Sequence, residues 1–163
     1  MKKEQIMKIA SEIAQSEKVP KELIDAIIAT ESNFEHKAET PFARGLMMLS
    51  EVALEDLKLP FKYSDMFDPE KNITAGTRYF KKLYHYWARQ LARWKVPDEI
   101  FDALVFIFSV LSYNWGVGNV KRWLTQTPAD NACIDEKVPH QTEDHFFDVV
   151  WWAVYFSRNL KEV

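Results

Sequence analysis

The hydrophobic residues of this chain recur mainly at the spacing of an α-helix. A first amphipathic helix is predicted by apolar residues at positions i, i+3, i+4 and i+7, namely Ile6, Ile9, Ala10 and Ile13. Pro20 suits the first turn of a second helix, which we expect from about Lys21 to Asn33.

Helix-start signals divide the rest of the chain. Ser50 can cap a short helix through Leu57. The pairs Asp68-Pro69 and Pro97-Asp98 each mark the start of a longer helix. The predicted helices after the second are 50–57, 69–94, 99–113, 119–125 and 143–160, separated by loops or turns at 34–44, 59–67, 115–118 and 127–141. No sustained period-two alternation is present, so the pattern predicts an all-α fold in a single domain, residues 1–163.

Two segments indicate where the core lies. Residues 103–111 are apolar on nearly all sides but are too few to cross a bilayer, so we expect them to form a buried central helix. The last predicted helix is crowded with aromatic residues, which a helical domain usually buries: Phe146, Phe147, Trp151, Trp152, Tyr155 and Phe156.

Composition and charge exclude several classes of protein. The 163 residues carry a formal net charge of -3 with the basic residues spread along the chain, which does not indicate nucleic-acid binding. Cys133 stands alone, and the four histidines lack metal-ligand spacing, so we expect no disulfide, metal or other cofactor. The N-terminus lacks the apolar run of a signal peptide, no membrane span is expected, and the chain is expected to be a monomer.

The second predicted helix carries a carboxylate in an unusual position. Ile24, Ile27 and Ile28 line its inner face, and Glu31 follows on the same stripe, seven residues after Ile24. Burial penalises an ionised carboxylate and favours its neutral form, which can donate a proton to the leaving oxygen of a glycosidic bond. A plainer alternative is that the helix ends near Asn33 and Glu31 turns into solvent.

The glycines and the carboxylate together resemble one family. Four motifs occur in order: 27–34 with the Glu31-Ser32 pair, Gly45-Leu46-Met47-Met48, Asn72-Ile73-Thr74-Ala75-Gly76, and Ser112-Tyr113-Asn114-Trp115-Gly116-Val117-Gly118. This set is similar to the catalytic domain of the soluble lytic transglycosylases (the SLT family). The resemblance covers residues 23–123 and implies a lysozyme-like helical domain with a substrate cleft.

The resemblance implies a mechanism with a single catalytic glutamate. Glu31 would protonate the β-1,4 bond between N-acetylmuramic acid and N-acetylglucosamine in peptidoglycan, and then act as a base towards the C6 hydroxyl. The product would be a 1,6-anhydromuramic acid end. The partner so implied is the glycan strand, and the place of action is the cell envelope after export, or a phage virion.

The resemblance also implies substrate-binding residues: Ser32, Met47, Met48, Tyr113, Asn114 and Trp115. For Met47 a core-filling role is equally compatible with the sequence. Two departures stand out, because Met48 replaces the family's glutamine and residues 38–44 match poorly. A lysozyme-type hydrolase, and a non-catalytic glycan-binding or assembly module on the same fold, are the alternatives.

Overall fold

A computed structural model describes residues 1–126 and 138–159, and this part of the chain is helical as predicted. Its α-helices are α1 Lys3–Glu17, α2 Lys21–Ser32, α3 Glu51–Leu57, α4 Pro69–Arg93, α5 Asp98–Trp115, α6 Val117–Gln126 and α7 His140–Asn159. The described residues form no β-strand; two isolated bridges join Arg44 to Glu39 and to Leu49. Within those residues, no helix is both long and apolar enough to span a membrane.

The predicted helix starts at Ser50 and Asp68 are confirmed by their caps. The Ala53 N–H donates to Ser50 Oγ over 3.2 Å at the start of α3. The Lys71 N–H donates to Asp68 Oδ1 over 2.9 Å, and α4 begins at Pro69. In both cases a side-chain oxygen accepts from a backbone N–H that has no partner inside the helix.

Three predicted loops differ in the structure. The expected loop 59–67 contains a 3-10 helix, Tyr63–Phe67, whose N-cap is Lys62. Of the expected turn 115–118, only Gly116 lies outside a helix, because α5 continues to Trp115 and α6 begins at Val117. In the expected loop 127–141, residues 127–137 lie outside the described part and α7 already begins at His140.

The chain divides into two compact units. The first contains residues 1–79 and the described residues from Asp148 onward, and the second contains the described residues between Phe80 and Phe147. The boundaries fall inside α4 and α7 rather than in a linker, and the single domain expected from the sequence stays a prediction.

The first unit is built around α2. All seven residues from Leu23 to Ala29 are buried, including the carboxylate of Asp25. A smaller apolar cluster forms around α3 and the 3-10 helix, with Leu49, Leu54 and Met66 at its centre.

The second unit has Trp87 of α4 at its centre. The indole N–H of Trp87 donates to Ser112 Oγ over 2.8 Å, and its ring packs against Phe108 with centroids 5.2 Å apart. Within the predicted buried segment 103–111, burial is confirmed for Val105 and residues 108–111 of α5, whereas Ala103 is exposed.

The aromatic residues of α7 are not all in the core. Phe156 is buried and meets Phe34 edge-on at 6.3 Å, as a core aromatic should. Phe147, Trp151 and Tyr155 are exposed, so the expectation that the last helix buries its aromatic residues is wrong for these three.

Candidate active site

Glu31 lies in the last turn of α2, at the edge of the buried stripe. Ile24, Ile27 and Ile28 of that stripe are buried, and Glu31 is half-buried. The helix ends because Asn33 adopts a left-handed conformation with φ 49°. The carboxylate is therefore neither sealed in the core nor fully turned into solvent, a placement between the two alternatives that the sequence left open.

Ser32 joins the end of α2 to the loop that begins at Gly45. Its hydroxyl oxygen lies 2.8 Å from the carbonyl oxygen of Leu46 and 3.1 Å from that of Ile28, with the hydroxyl as donor. The first contact spans 14 residues of sequence and fixes where the backbone next to Glu31 stands. The structure thus gives Ser32 a positioning role next to the predicted acid.

Asn72 holds the same loop from the side of α4. Its amide oxygen accepts from the Met47 N–H at 2.8 Å, and its amide nitrogen donates to the carbonyl oxygens of Arg44 and Met66, each at 3.0 Å. The side chain is fully buried with three hydrogen bonds. Asn72 belongs to a sequence motif, but no role was predicted for it; the signal that could have found it is a polar residue at the start of a buried helical stripe.

Gly45 is required where this loop meets Asn72. Its φ is 79°, and a Cβ at this position would overlap the Met66 carbonyl oxygen and the Asn72 amide. Both the backbone conformation and the space therefore exclude other residues.

Met47 is fully buried, and its side chain packs on Gly76 of α4. A Cβ on Gly76 would overlap the Met47 thioether, so the loop and α4 are in close contact at this position. Burial favours the core-filling role for Met47, and its contact with substrate stays a prediction.

Met48 is half-buried and has a left-handed backbone with φ 43°. Its N–H donates to the Gly45 carbonyl over 3.1 Å, closing the turn. The preceding segment, which departs from the family pattern, is closed by the Gly45 N–H donating to the Ala38 carbonyl at 2.8 Å and by an Arg44–Glu39 ion pair at 2.7 Å.

The second unit holds the other predicted site residues, at the end of α5. Tyr113 is half-buried and its ring lies 6.4 Å from that of Phe80. Asn114 is exposed, and its amide oxygen accepts from the Thr142 hydroxyl over 2.9 Å. Thr142 was missed because nothing in its local sequence links it to a site 28 residues away.

Trp115 packs at the edge of the second unit's core. Its carbonyl oxygen accepts from the Asn119 side chain at 2.8 Å, and Gly116, with φ 89°, ends the helix directly after it. Trp115 also borders a groove of 140 Å³ that runs past Asn119 and Arg122. The structure thus groups the predicted residues in two sets: Glu31, Ser32, Met47 and Met48 in the first unit, and Tyr113, Asn114 and Trp115 in the second.

Other acidic groups near α2 have separate roles. Glu35, which lies beyond the end of α2, is exposed; its carboxylate accepts from the Lys37 N–H at 2.9 Å. Burial raises the pKa of Asp25 although Lys21 pairs with it. In the described part of the chain, no three histidine, cysteine or acidic side chains gather as a metal site would require.

Solved structures share this fold. The lytic transglycosylase Slt of Pseudomonas aeruginosa, solved as an inactive mutant, matches 93% of this chain with a TM-score of 0.70 and 21% identity, over 24% of its own length. The 70 kDa soluble lytic transglycosylase of Escherichia coli matches 94% with a TM-score of 0.68 and 23% identity, again over 24% of that chain. The architecture is therefore that of the lysozyme-like helical domains of these proteins.

Sequence comparison identifies the family. The model of the transglycosylase SLT domain matches residues 8–134, and the chain belongs to this family. A membrane-bound lytic murein transglycosylase F of Desulfosudis oleivorans is 35% identical over 102 residues, covering 61% of this chain and 19% of the relative. That of Serratia proteamaculans is 30% identical over 132 residues, covering 77% and 24%. The chain thus spans less than a quarter of the length of these relatives.

Proposed function

We propose that this domain is a peptidoglycan lytic transglycosylase in which Glu31 is the single catalytic acid and base. The observation that carries the proposal is the position of Glu31: half-buried, after an apolar stripe, at a helix end held in place by the Ser32–Leu46 hydrogen bond. Membership of the SLT family and the names of its relatives, lytic murein transglycosylases, supply the reaction class.

The reaction needs one group that gives and then takes a proton. Glu31 donates its proton to the oxygen that links N-acetylmuramic acid to N-acetylglucosamine, and the bond from this oxygen to the muramic C1 breaks. The muramic C6 hydroxyl oxygen then bonds to C1, and its proton passes to the Glu31 carboxylate. The acid is regenerated and no water is consumed, so a second carboxylate is not required.

The environment of Glu31 suits this double use. Glu31 follows the buried residues Ile24, Ile27 and Ile28 on α2 and is itself half-buried, which places it at the edge of the core. The half-exposed side still gives a glycan oxygen access to the carboxyl group.

The remaining predicted residues receive roles as glycan ligands. Met48, in the loop that Ser32 anchors, would contact the sugar where the family has an amide. Tyr113 and Asn114 would supply a hydroxyl and an amide, with Asn114 oriented by Thr142. Trp115 would offer a ring face for a pyranose, as aromatic residues in sugar sites do.

The substrate sets the place of action. A domain that cuts peptidoglycan strands works in the cell envelope, in agreement with relatives that are named as membrane-bound. The proposed partner is accordingly the glycan strand itself.

A pair of matched variants tests the role of Glu31. Glu31→Gln should abolish release of soluble muropeptides from purified peptidoglycan, because an amide has no proton of suitable acidity to donate. Glu35→Gln, which removes an exposed carboxyl four residues further along the chain, should leave the rate within about twofold of wild type, as expected away from the site. Retained activity in Glu31→Gln, with an unchanged circular dichroism spectrum, would refute the assignment.

A further inference from the structure

Helix α7 presents a contiguous aromatic face outside the proposed active site. Phe147, Trp151 and Tyr155 are 62%, 59% and 45% exposed, and Val154 is 42% exposed. Three of these residues and Arg158 border a groove of 240 Å³. Single exposed apolar side chains are common in soluble proteins, but a contiguous set of this size marks an interaction surface.

The spacing along α7 is that of a helix-pairing seam. Asp144, Phe147, Trp151, Val154 and Arg158 follow one another at intervals of three, four, three and four residues. This alternation places them in one stripe along the helix, as in the seam of a coiled coil. The opposite side of α7 is buried and is formed by Thr142, His145, Val149 and Phe156.

The aromatic pair in the middle of the stripe is already ordered. The rings of Trp151 and Tyr155 stack with centroids 5.5 Å apart and an interplanar angle of 12°. Because neighbouring rings hold each other in place, less side-chain entropy is lost when a partner covers them.

We propose that a second copy of this chain covers the α7 face, with the two helices antiparallel and the two-fold axis at Trp151. In this register Asp144 lies opposite Arg158 of the second copy, and Phe147 lies opposite Tyr155 of the second copy. The Asp144 end of each stripe then lies against the Arg158 end of the other stripe, so opposite charges pair at both ends of the interface. A parallel pairing would bring Asp144 against Asp144, so the charges select the antiparallel arrangement.

The charges also distinguish a second copy from other occupants. Asp144 and Asp148 are both exposed beside the aromatic residues and would be repelled by an anionic lipid surface. Apolar side chains fill the stripe between its charged ends, whereas a bound sugar needs polar groups around its ring. The dimer departs from the monomer expected from the sequence, and it does not depend on the proposed glycan chemistry.

Sedimentation equilibrium of the full chain over a range of concentrations tests the interface. The wild type should approach twice the 19.2 kDa mass of one chain. Trp151→Glu, which places two carboxylates at the axis, should raise the dissociation constant about tenfold or more. Phe42→Glu is the matched control, because Phe42 is 81% exposed in a loop, and it should associate like the wild type.

A charge exchange tests the antiparallel register. Asp144→Arg and Arg158→Asp should each weaken association, since like charges then meet at both ends, and the double variant should restore it. A monomeric wild type at every concentration, equal weakening by Phe42→Glu, or a double variant no better than the single ones would overturn the proposal. Binding of a monomeric wild type to vesicles of anionic phospholipid, lost in Trp151→Glu, would assign the face to lipid and also overturn it.

Discussion

At the scale of single residues, Met48 shows how the loop beside Glu31 combines a constrained backbone with an altered side chain. The turn requires the left-handed φ of 43° at this position and the backbone hydrogen bond to Gly45. Any residue that replaces Met48 must therefore adopt the same backbone conformation. The thioether replaces an amide of the family pattern, which removes a donor and an acceptor from the surface of the loop.

Met48→Gln should therefore restore a polar contact to the glycan without disturbing the turn. We expect a rate of peptidoglycan cleavage equal to or above that of wild type, with an unchanged midpoint of thermal unfolding. The rate is measured from soluble muropeptides released over time. A decrease of more than about tenfold, or roughly 1.4 kcal/mol in the transition state, would show that the site is adapted to methionine.

Asp25 illustrates a second residue-scale effect, the burial of a carboxylate inside α2. Burial raises its pKa above the ordinary 3.8, against the opposing influence of Lys21. The native state therefore holds a proton on Asp25 over a pH range in which the unfolded state has released it. The resulting stabilisation is complete below the unfolded-state pKa and is lost as pH rises through the raised native pKa.

Asp25→Asn should remove this dependence. Urea unfolding measured from acidic to neutral pH should show that the free energy of unfolding of wild type, relative to the variant, decreases as pH rises above about 3.8. Glu55→Gln, a change in an exposed carboxyl on α3, is the control and should keep the wild-type dependence. Parallel pH profiles for wild type and Asp25→Asn would contradict the burial argument.

At the scale of elements, two helical glycines with different surroundings test the packing between the loop and α4. Gly76→Ala should destabilise the protein by about 1–2 kcal/mol, because overlap with Met47 outweighs the better helix propensity of alanine. Gly118→Ala, in α6 with no described atom within 4 Å of the added Cβ, should stabilise by about 0.5–1 kcal/mol. Urea unfolding at neutral pH measures both.

A double-variant cycle shows whether Met47 is the cause. In a Met47→Ala background the Met47 Sδ and Cε are removed, but the Cβ of residue 47 stays 2.8 Å from the Cβ added at Gly76, so Gly76→Ala should cost less stability than in wild type. The same cost in both backgrounds would mean that the Met47 Sδ and Cε do not cause the loss of stability.

The elements themselves were largely predictable because their signals are local. Ser50 and Asp68 cap α3 and α4 through bonds to residues three positions ahead, which the sequence displays directly. The 3-10 helix Tyr63–Phe67 escaped prediction because it is short and carries no helical stripe. The burial predicted for Phe147 and Trp151 was wrong because the sequence does not show whether the helix face that carries an aromatic residue is covered or exposed.

At the scale of the whole molecule, the family was predictable from four motifs in order, and the model of the SLT domain matches residues 8–134. The contacts that support the site were not predictable. The Asn72 bonds to Arg44 and Met47 and the Thr142 bond to Asn114 join residues 25 to 28 positions apart, and such pairs arise only when the chain folds. The motifs thus indicated Glu31 as the candidate acid, whereas the long-range contacts of the candidate site are seen only in the structure.

The chemistry of the cut ends tests the central claim most directly. Peptidoglycan digested with the chain in heavy-oxygen water should yield 1,6-anhydromuramic acid ends without heavy oxygen at C1, measured by mass spectrometry, because the C6 hydroxyl replaces water as the nucleophile. Reducing ends that carry the heavy oxygen would identify a hydrolase instead. Intact strands, with glycan still bound, would identify a non-catalytic binding module.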